Sequence, residues 1–300
     1  MWLILAFLSA AFLGLYDVAK KQALRHNSVP NILLLNTLIS SLIFLPVVLS
    51  SQLSLEWFTE GSLLCFDKDT TEAHIKILIK SVIVLSSWAF GYLGIKHLPI
   101  TIVGPINATR PIIVLVGAML LFGERLNALQ WIGVAMALTS IFLLSKAGKR
   151  EGIDFKRNRW ILCVVAAALL GATSGLYDRH IMRELPPLMV QSWFNIYQAI
   201  IMTIIVLCIA ITQGKSTLNI KWSWAIPMIS ILLSAADLAY FVALSREDSL
   251  LTVISMIRRG SVVVSFTCGA ILFHEKNLKA KAIDMIFILI GMIFLWLGSR

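Results

Sequence analysis

Apolar residues fall into ten runs of about twenty residues each, and the polar positions gather in the short gaps between them. The runs cover 2–24, 31–50, 75–96, 98–122 and 128–145, then 160–184, 188–212, 222–244, 249–273 and 278–298. A helix needs about 20 apolar residues to cross a bilayer, so the pattern predicts ten transmembrane helices. His97-Leu98-Pro99 joins the third and fourth runs so tightly that they must be antiparallel neighbours. The longest gap, 51–74, carries Glu56, Glu60, Asp67, Asp69 and Glu72 and is expected to be a loop or a segment lying on the membrane face.

Composition sharpens this reading. The chain is 58% hydrophobic and 14% charged, with a mean hydropathy of +0.85, against roughly 45–50% apolar and about 25% charged for soluble domains. An all-α polytopic membrane protein follows, because only helices or closed barrels satisfy the backbone in lipid. The net charge of +10 sits mainly in the connections, where basic residues set topology and meet anionic lipid; no nucleic-acid partner is expected. Cys163, Cys208 and Cys268 lie in apolar runs and Cys65 in a loop, which gives no disulfide framework. The opening run lacks a basic region before it and reads as a first membrane helix rather than a signal peptide.

The runs repeat. Gly14-Leu15-Tyr16-Asp17 returns as Gly175-Leu176-Tyr177-Asp178, and Thr101-Ile102-Val103 as Thr252-Val253-Ile254. The endings MLLFGERL and AILFHEKNL put Glu124 and Glu275 in matching positions, an offset of 151 (275 minus 124). The offset is 161 for the first motif (178 minus 17), and the long gap at 51–74 accounts for the change. The expected organisation is a first repeat over 1–146, a basic linker over 147–159 and a second repeat over 160–300. Five spans per repeat leave the second half inverted relative to the first, the layout of many secondary transporters with a site near midplane between halves.

Pro105, Pro111, the Leu121-Phe122-Gly123-Glu124 ending, Trp131-Ile132-Gly133 and the echo Leu272-Phe273-His274-Glu275 resemble the drug/metabolite transporter superfamily, in particular its ten-helix EamA-type members. The resemblance implies movement of small metabolites by alternating access, with four helices of each half around a cavity and the fifth peripheral. Asp284 stands where Gly133 would repeat and Val262 where Pro111 would, so the second half departs from the pattern.

Charges inside apolar runs mark functional positions, since each costs at least ~2.5–3.5 kcal/mol at a helix centre unless paired or wetted. Arg110 lies roughly 18 Å into its run, and Arg258 and Arg259 about 15 Å into theirs, at 1.5 Å per residue. With Asn107, Trp88, Tyr16 and Tyr177 they form the candidate substrate cavity. Asp17, Asp178 and Asp237 are candidate charge-pair or coupling residues: depth places Asp178 and Asp237 near Arg258 and Arg259, and Asp17 toward Arg110. Two roles remain open for these groups, helix-locking pairs, for which Lys20 and Arg179 stand near Asp17 and Asp178, or substrate and proton sites. Trp160, Trp222, Trp224 and Trp296 read as interfacial anchors.

No zinc-helix, phosphate-loop or nucleophile motif is present, so no enzyme activity, metal or cofactor is expected. The function expected is secondary active transport of a small polar or amphipathic metabolite, with a proton as candidate coupling ion. The alternative is a membrane sensor or accessory subunit that binds the same ligand without moving it. Localisation is expected in a cell membrane as a multi-pass protein. Alternating loops place fifteen basic residues on the linker side and eight on the other; by the positive-inside rule the termini face outward, whereas the resemblance implies cytoplasmic termini.

Overall fold

The three-dimensional structure is a computed structural model that describes residues 2–52, 70–110, 112–113, 127–149, 157–182, 184–213, 219–244, 254, 257–273 and 278–298. Glu124, Glu275, the 121–124 motif, Cys65 and most of the acidic gap and basic linker lie outside these residues, as do the side chains of Asp284 and Trp296.

The described residues form ten helices: α1 (Trp2–Leu24), α2 (Val29–Gln52), α3 (Thr71–His97), α4 (Ile100–Ala108), α5 (Ala128–Lys149), α6 (Arg159–Ile181), α7 (Pro187–Gln213), α8 (Ala225–Leu244), α9 (Ser261–Phe273) and α10 (Leu278–Gly298). Six of them, α1, α2, α3, α6, α7 and α8, are long and apolar enough to cross a membrane. Their outer faces carry residues such as Ile4, Phe7 and Ile211 exposed, which suits contact with lipid tails. Trp222 and Trp224 stand exposed just before α8. Caps set the boundaries: Thr70 Oγ1 accepts from Ala73 N at 3.2 Å to open α3, and Asn158 Oδ1 accepts from Trp160 N at 2.9 Å to open α6. These are the side-chain types that satisfy orphan N–H groups at helix starts.

Two runs expected to be unbroken are not. α4 closes at Ala108, where the Thr109 N–H and hydroxyl both turn back to Ile106 O, at 3.2 and 2.7 Å. Pro111, two residues on, has no N–H for the carbonyl of Asn107. The run expected over 249–273 is interrupted at Gly260, whose N–H bonds Ile257 O at 2.9 Å before α9 starts at Ser261. Thr109 and Gly260 are separated by 151 residues (260 minus 109), so both breaks fall at the same position of the sequence repeat.

Packing follows the repeat as well. α1 lies along α8, α3 along α6, α2 against α7 and α5 against α10, with further contacts α1–α9, α4–α6, α2–α8, α3–α7 and α4–α9. Exchanging each helix with the one five places on maps every one of these pairs onto itself or another in the set. Bonds along the pairs fix direction. Ser87 Oγ donates to Ala167 O at 2.8 Å and the His97 ring stacks on Trp160 at 3.6 Å, so α3 and α6 are antiparallel. Ser9 Oγ donates to Ala236 O at 2.7 Å and Asn27 bonds Lys221, so α1 and α8 are antiparallel too. Tyr16 bonds Tyr92 and, further along both helices, Lys21 bonds Ile95 and Leu98, so α1 and α3 are parallel and run opposite to their repeat partners α6 and α8.

The closest contacts join helices of opposite halves. We group the helices as two bodies, one of α1, α2, α8 and α9 and the other of α3, α4, α6 and α7, each drawing on both halves of the sequence and the two joined closely through α2–α7 and α4–α9.

Candidate functional site

Between the two bodies lies a cavity of about 190 Å³. Helix α1 contributes Leu13, Tyr16, Asp17 and Lys20, and α3 contributes Lys80, Ser87, Trp88, Gly91 and Tyr92 among others. Gly104 and Asn107 come from α4, with Arg110 just past its end; Gly171, Ser174, Gly175 and Asp178 come from α6. The opposite wall is Leu233, Asp237, Tyr240 and Phe241 of α8, with Arg258, Arg259, Ser261 and Val262 around the break before α9. Phe194 of α7 closes one side, while α2, α5 and α10 supply no lining residue. Helix α2 was expected to line the cavity; it packs instead against α7 and α8.

Five cations and three carboxylates meet here. Lys20 Nζ lies 2.6 Å from Asp17 Oδ1, one helical turn away on α1. Lys80 pairs with Asp178 across α3 and α6, and Arg258, ahead of the break before α9, pairs with Asp237 of α8. Asp237–Arg258 is the pairing that depth suggested. Asp178 differs from expectation and meets Lys80 rather than an arginine. Asp17 bonds Lys20, the neighbour expected for a helix-locking role, while its charge also acts on Arg110. Aromatic faces back the cations. Lys20 Nζ sits 4.2 Å above the Tyr16 ring, Lys80 Nζ 4.9 Å above Phe194, and the Arg258 guanidinium 4.1 Å above Tyr240, an arrangement that ring quadrupoles favour.

Arg110 and Arg259 are different. Arg110 Nη2 donates to Asn107 Oδ1 at 3.2 Å, and its Nε is buried without a partner among the described residues. The guanidinium lies flat on the backbone of Gly171: a Cβ there would stand 2.5 Å from Cζ and Nη1. Arg259 makes no hydrogen bond or ion pair among the described residues, and its Nε is buried and unmade, as is that of Arg258. A buried charge of this kind is stable only if something else compensates it.

Trp88 lines the cavity and meets Phe194 edge to face at 6.0 Å. Tyr16 lines it too, its hydroxyl donating to Tyr92 OH at 3.3 Å. Tyr177, the repeat partner of Tyr16, does not: its hydroxyl donates to Lys76 O at 3.3 Å, outside the cavity.

The cavity is closed at the end where α1 and α3 finish. Lys21 Nζ donates to Ile95 O at 2.6 Å and to Leu98 O at 2.5 Å, capping the orphan carbonyls of α3, and Lys96 Nζ donates to Asn27 O at 2.9 Å. Exchange of the repeats turns the α1–α3 contact into α6–α8, which among the described residues meet less closely, mainly where Met182 packs against the cluster holding Tyr240 and Phe241 and Leu238 against the cluster holding Ile181.

A family description, EamA-like transporter family, matches residues 1–146 and 158–297. The chain belongs to the EamA-like transporter family. It is accordingly a multi-pass integral membrane protein of transporter type. None of the curated proteins matches it. Among solved structures, a crystal structure described only as "Crystal structure of protein" is similar, with a TM-score of 0.66 and 16% identity over 100% of this chain and 98% of that one; at that identity the likeness is one of fold.

Sequence reasoning missed several residues of this EamA-like protein's cavity: Lys80, Tyr92 and Tyr240. Lys80 was counted only with the basic residues of the connections, yet it is 2% exposed. For Lys80 a signal was available. It stands alone within Ile77-Leu78-Ile79-Lys80-Ser81-Val82-Ile83, the same pattern of a single cation in an apolar run that singled out Arg110.

Proposed function

We propose that this protein is a secondary active transporter that moves a small polar or amphipathic metabolite by alternating access. In this reading ten membrane-spanning helices form two inverted five-helix repeats, 1–146 and 160–300, joined by the basic segment 147–159. The observation that carries it is an asymmetry: the strongest helix contacts map onto one another when the repeats are exchanged, whereas α1 and α3 lie closer together than their counterparts α6 and α8, which meet mainly through Met182 and Leu238 at one end. A pseudosymmetric molecule with one end drawn tighter than the other has a second conformer of the same kind, with the ends interchanged. Rocking the α1/α2/α8/α9 body against the α3/α4/α6/α7 body brings α6 to α8 and parts α1 from α3. The cavity residues Arg110, Asn107, Arg258, Arg259, Trp88 and Tyr16 then face either side in turn, and Tyr177 enters the cavity as Tyr16 leaves it.

Asp237 and Asp178 supply the coupling chemistry. Each is held by one cation, so protonation of Asp237 frees Arg258 and protonation of Asp178 frees Lys80. A proton taken up on one side thus changes the charge presented to solute, which is the requirement for linking the two fluxes.

The test is solute flux into proteoliposomes holding the purified full chain, with and without a proton gradient. Saturable uptake lost in Arg258→Ala supports transport. Ligand binding without flux under either condition contradicts it and favours a sensor or accessory subunit.

A further inference from the structure

We infer that the solute is a small dianion held between Arg110 and Arg259, a proposal that rests on the transport reading and gives it a substrate class. Three of the five cavity cations are matched one to one by the three lining carboxylates. Arg110 and Arg259 are left over: neither makes an ion pair among the described residues, they repel each other, and the one carboxylate that acts on both, Asp17, is already bonded to Lys20. Two guanidiniums with no ion pair of their own in a low-dielectric site call for added negative charge, up to one for each.

Other solute classes fit less well. A cation meets a net positive wall. The ammonium of a zwitterion needs a free carboxylate, and Asp17, Asp178 and Asp237 are each engaged. A neutral solute leaves both guanidiniums unmatched, and a monoanion leaves one. Guanidinium forks suit the paired oxygens of carboxylate and phosphate alike, so a dicarboxylate and a phosphate monoester share the required chemistry. Size narrows the class further. The cavity of about 190 Å³ is smaller than the roughly 300–1,000 Å³ of sites for drug-sized ligands, which points to a skeleton of a few carbons. Asn107, whose amide oxygen already accepts from Arg110, holds that guanidinium toward the space.

The experiment uses the full chain in proteoliposomes and four probes: succinate, its monoamide succinamate, glycerol 3-phosphate and glycerol. The expected result is uptake of one or both dianions, about tenfold or more above the matching probe of lower charge, the size of one charged hydrogen bond. The two dianion arms separate carboxylate from phosphate as the source. In Arg259→Gln the preference for succinate over succinamate, or for glycerol 3-phosphate over glycerol, should collapse by a similar factor, while Arg259→Lys keeps part of it. Should Arg259→Gln fail to fold, Arg110→Gln reads the same selectivity ratio. Equal uptake of charged and less charged probes, or unchanged selectivity in both glutamine variants, overturns the dianion site and leaves transport standing. Dianion binding measured by thermal shift without any flux supports the site and overturns the transport reading.

Discussion

Tyr16 and Tyr177 hold the same place in the repeated sequence and different places in the molecule. Tyr16 is 4% exposed and its hydroxyl meets Tyr92 in the cavity. Tyr177 is half-buried and bonds the backbone of Lys76 outside it. The difference follows from the ends of the molecule: α1 lies closer to α3 at one end than α6 does to α8 at the other.

If Lys21 holds the closed end, removing it should favour the opposite opening. Lys21→Ala deletes two charged hydrogen bonds, each worth about 1.5–3 kcal/mol. The conformational equilibrium is expected to shift by about tenfold or more. Thiol labelling of Ile95→Cys, a position 2% exposed, measures this. Labelling should speed up from the linker side in the Lys21→Ala background, and an unchanged rate counts against the clasp.

The Lys80–Asp178 pair should behave as a buried ion pair. Asp178→Ala strands Lys80 and is expected to destabilise the protein by about 3–5 kcal/mol, whereas replacing both with apolar residues, Lys80→Met with Asp178→Leu, recovers most of that loss. Thermal unfolding in detergent compares the two. A double variant no more stable than the single one contradicts the assignment. If Asp178 also carries a coupling proton, the recovered double variant loses proton-driven uptake.

Gly171 is required by Arg110. A methyl at Gly171 would meet the guanidinium at 2.5 Å, whereas one at Gly175 meets nothing within 4 Å. Gly171→Ala is therefore expected to displace Arg110 and cut uptake by about tenfold or more, on the scale of one charged hydrogen bond. Gly175→Ala should fold at least as well as the wild type, since glycine is about 0.5–1 kcal/mol worse than alanine inside a helix. Equal uptake by the two variants would show that Arg110 tolerates the shift.

Helix α7 carries a seam of buried polar groups against α2. Gln198 is fully buried, and neither atom of its amide has a partner among the described residues. Asn195 and Gln191 each leave one amide atom unmade beside it. Gln198→Leu should raise stability by about 1–3 kcal/mol, the cost of an unmade buried polar group. Because α2–α7 joins the two bodies, the same variant is expected to slow transport. Lower stability in the variant would mean that the amide is satisfied.

The helices were legible because lipid imposes one rule on every span, so apolar runs of fixed length mark them. α1 and α10 match their expected bounds, and α6 ends at Ile181, three residues before the run does. The breaks at Thr109 and Gly260 were not foreseen, since an apolar run has the same hydropathy whether or not its hydrogen bonds are continuous. Among the site residues, Arg110, Arg258, Arg259 and Asp237 stood out because a lone charge deep in an apolar run is too costly to keep unless a partner, water or ligand meets it. Depth along a helix cannot say which neighbour a carboxylate meets. Lys80 reaches Asp178 because α3 lies on α6, a pairing across halves that the order of the runs does not reveal. Tyr177 was misplaced for another reason: the repeat motif gives it the same sequence neighbours as Tyr16, whereas in the structure only Tyr16 lines the cavity.

Alternating access is tested most directly by clamping the two ends in turn. Arg25 and His97 line one surface pocket at the closed end, and His180 and Val242 lie near the ends of α6 and α8 at the other. With cysteines at one pair, a short bifunctional thiol crosslinker holds that end shut in reconstituted protein. The account predicts that either clamp alone abolishes solute flux, that cleaving the linker restores it, and that the 25–97 clamp leaves ligand binding from the open end intact. Flux that continues through a protein clamped at either end would contradict it.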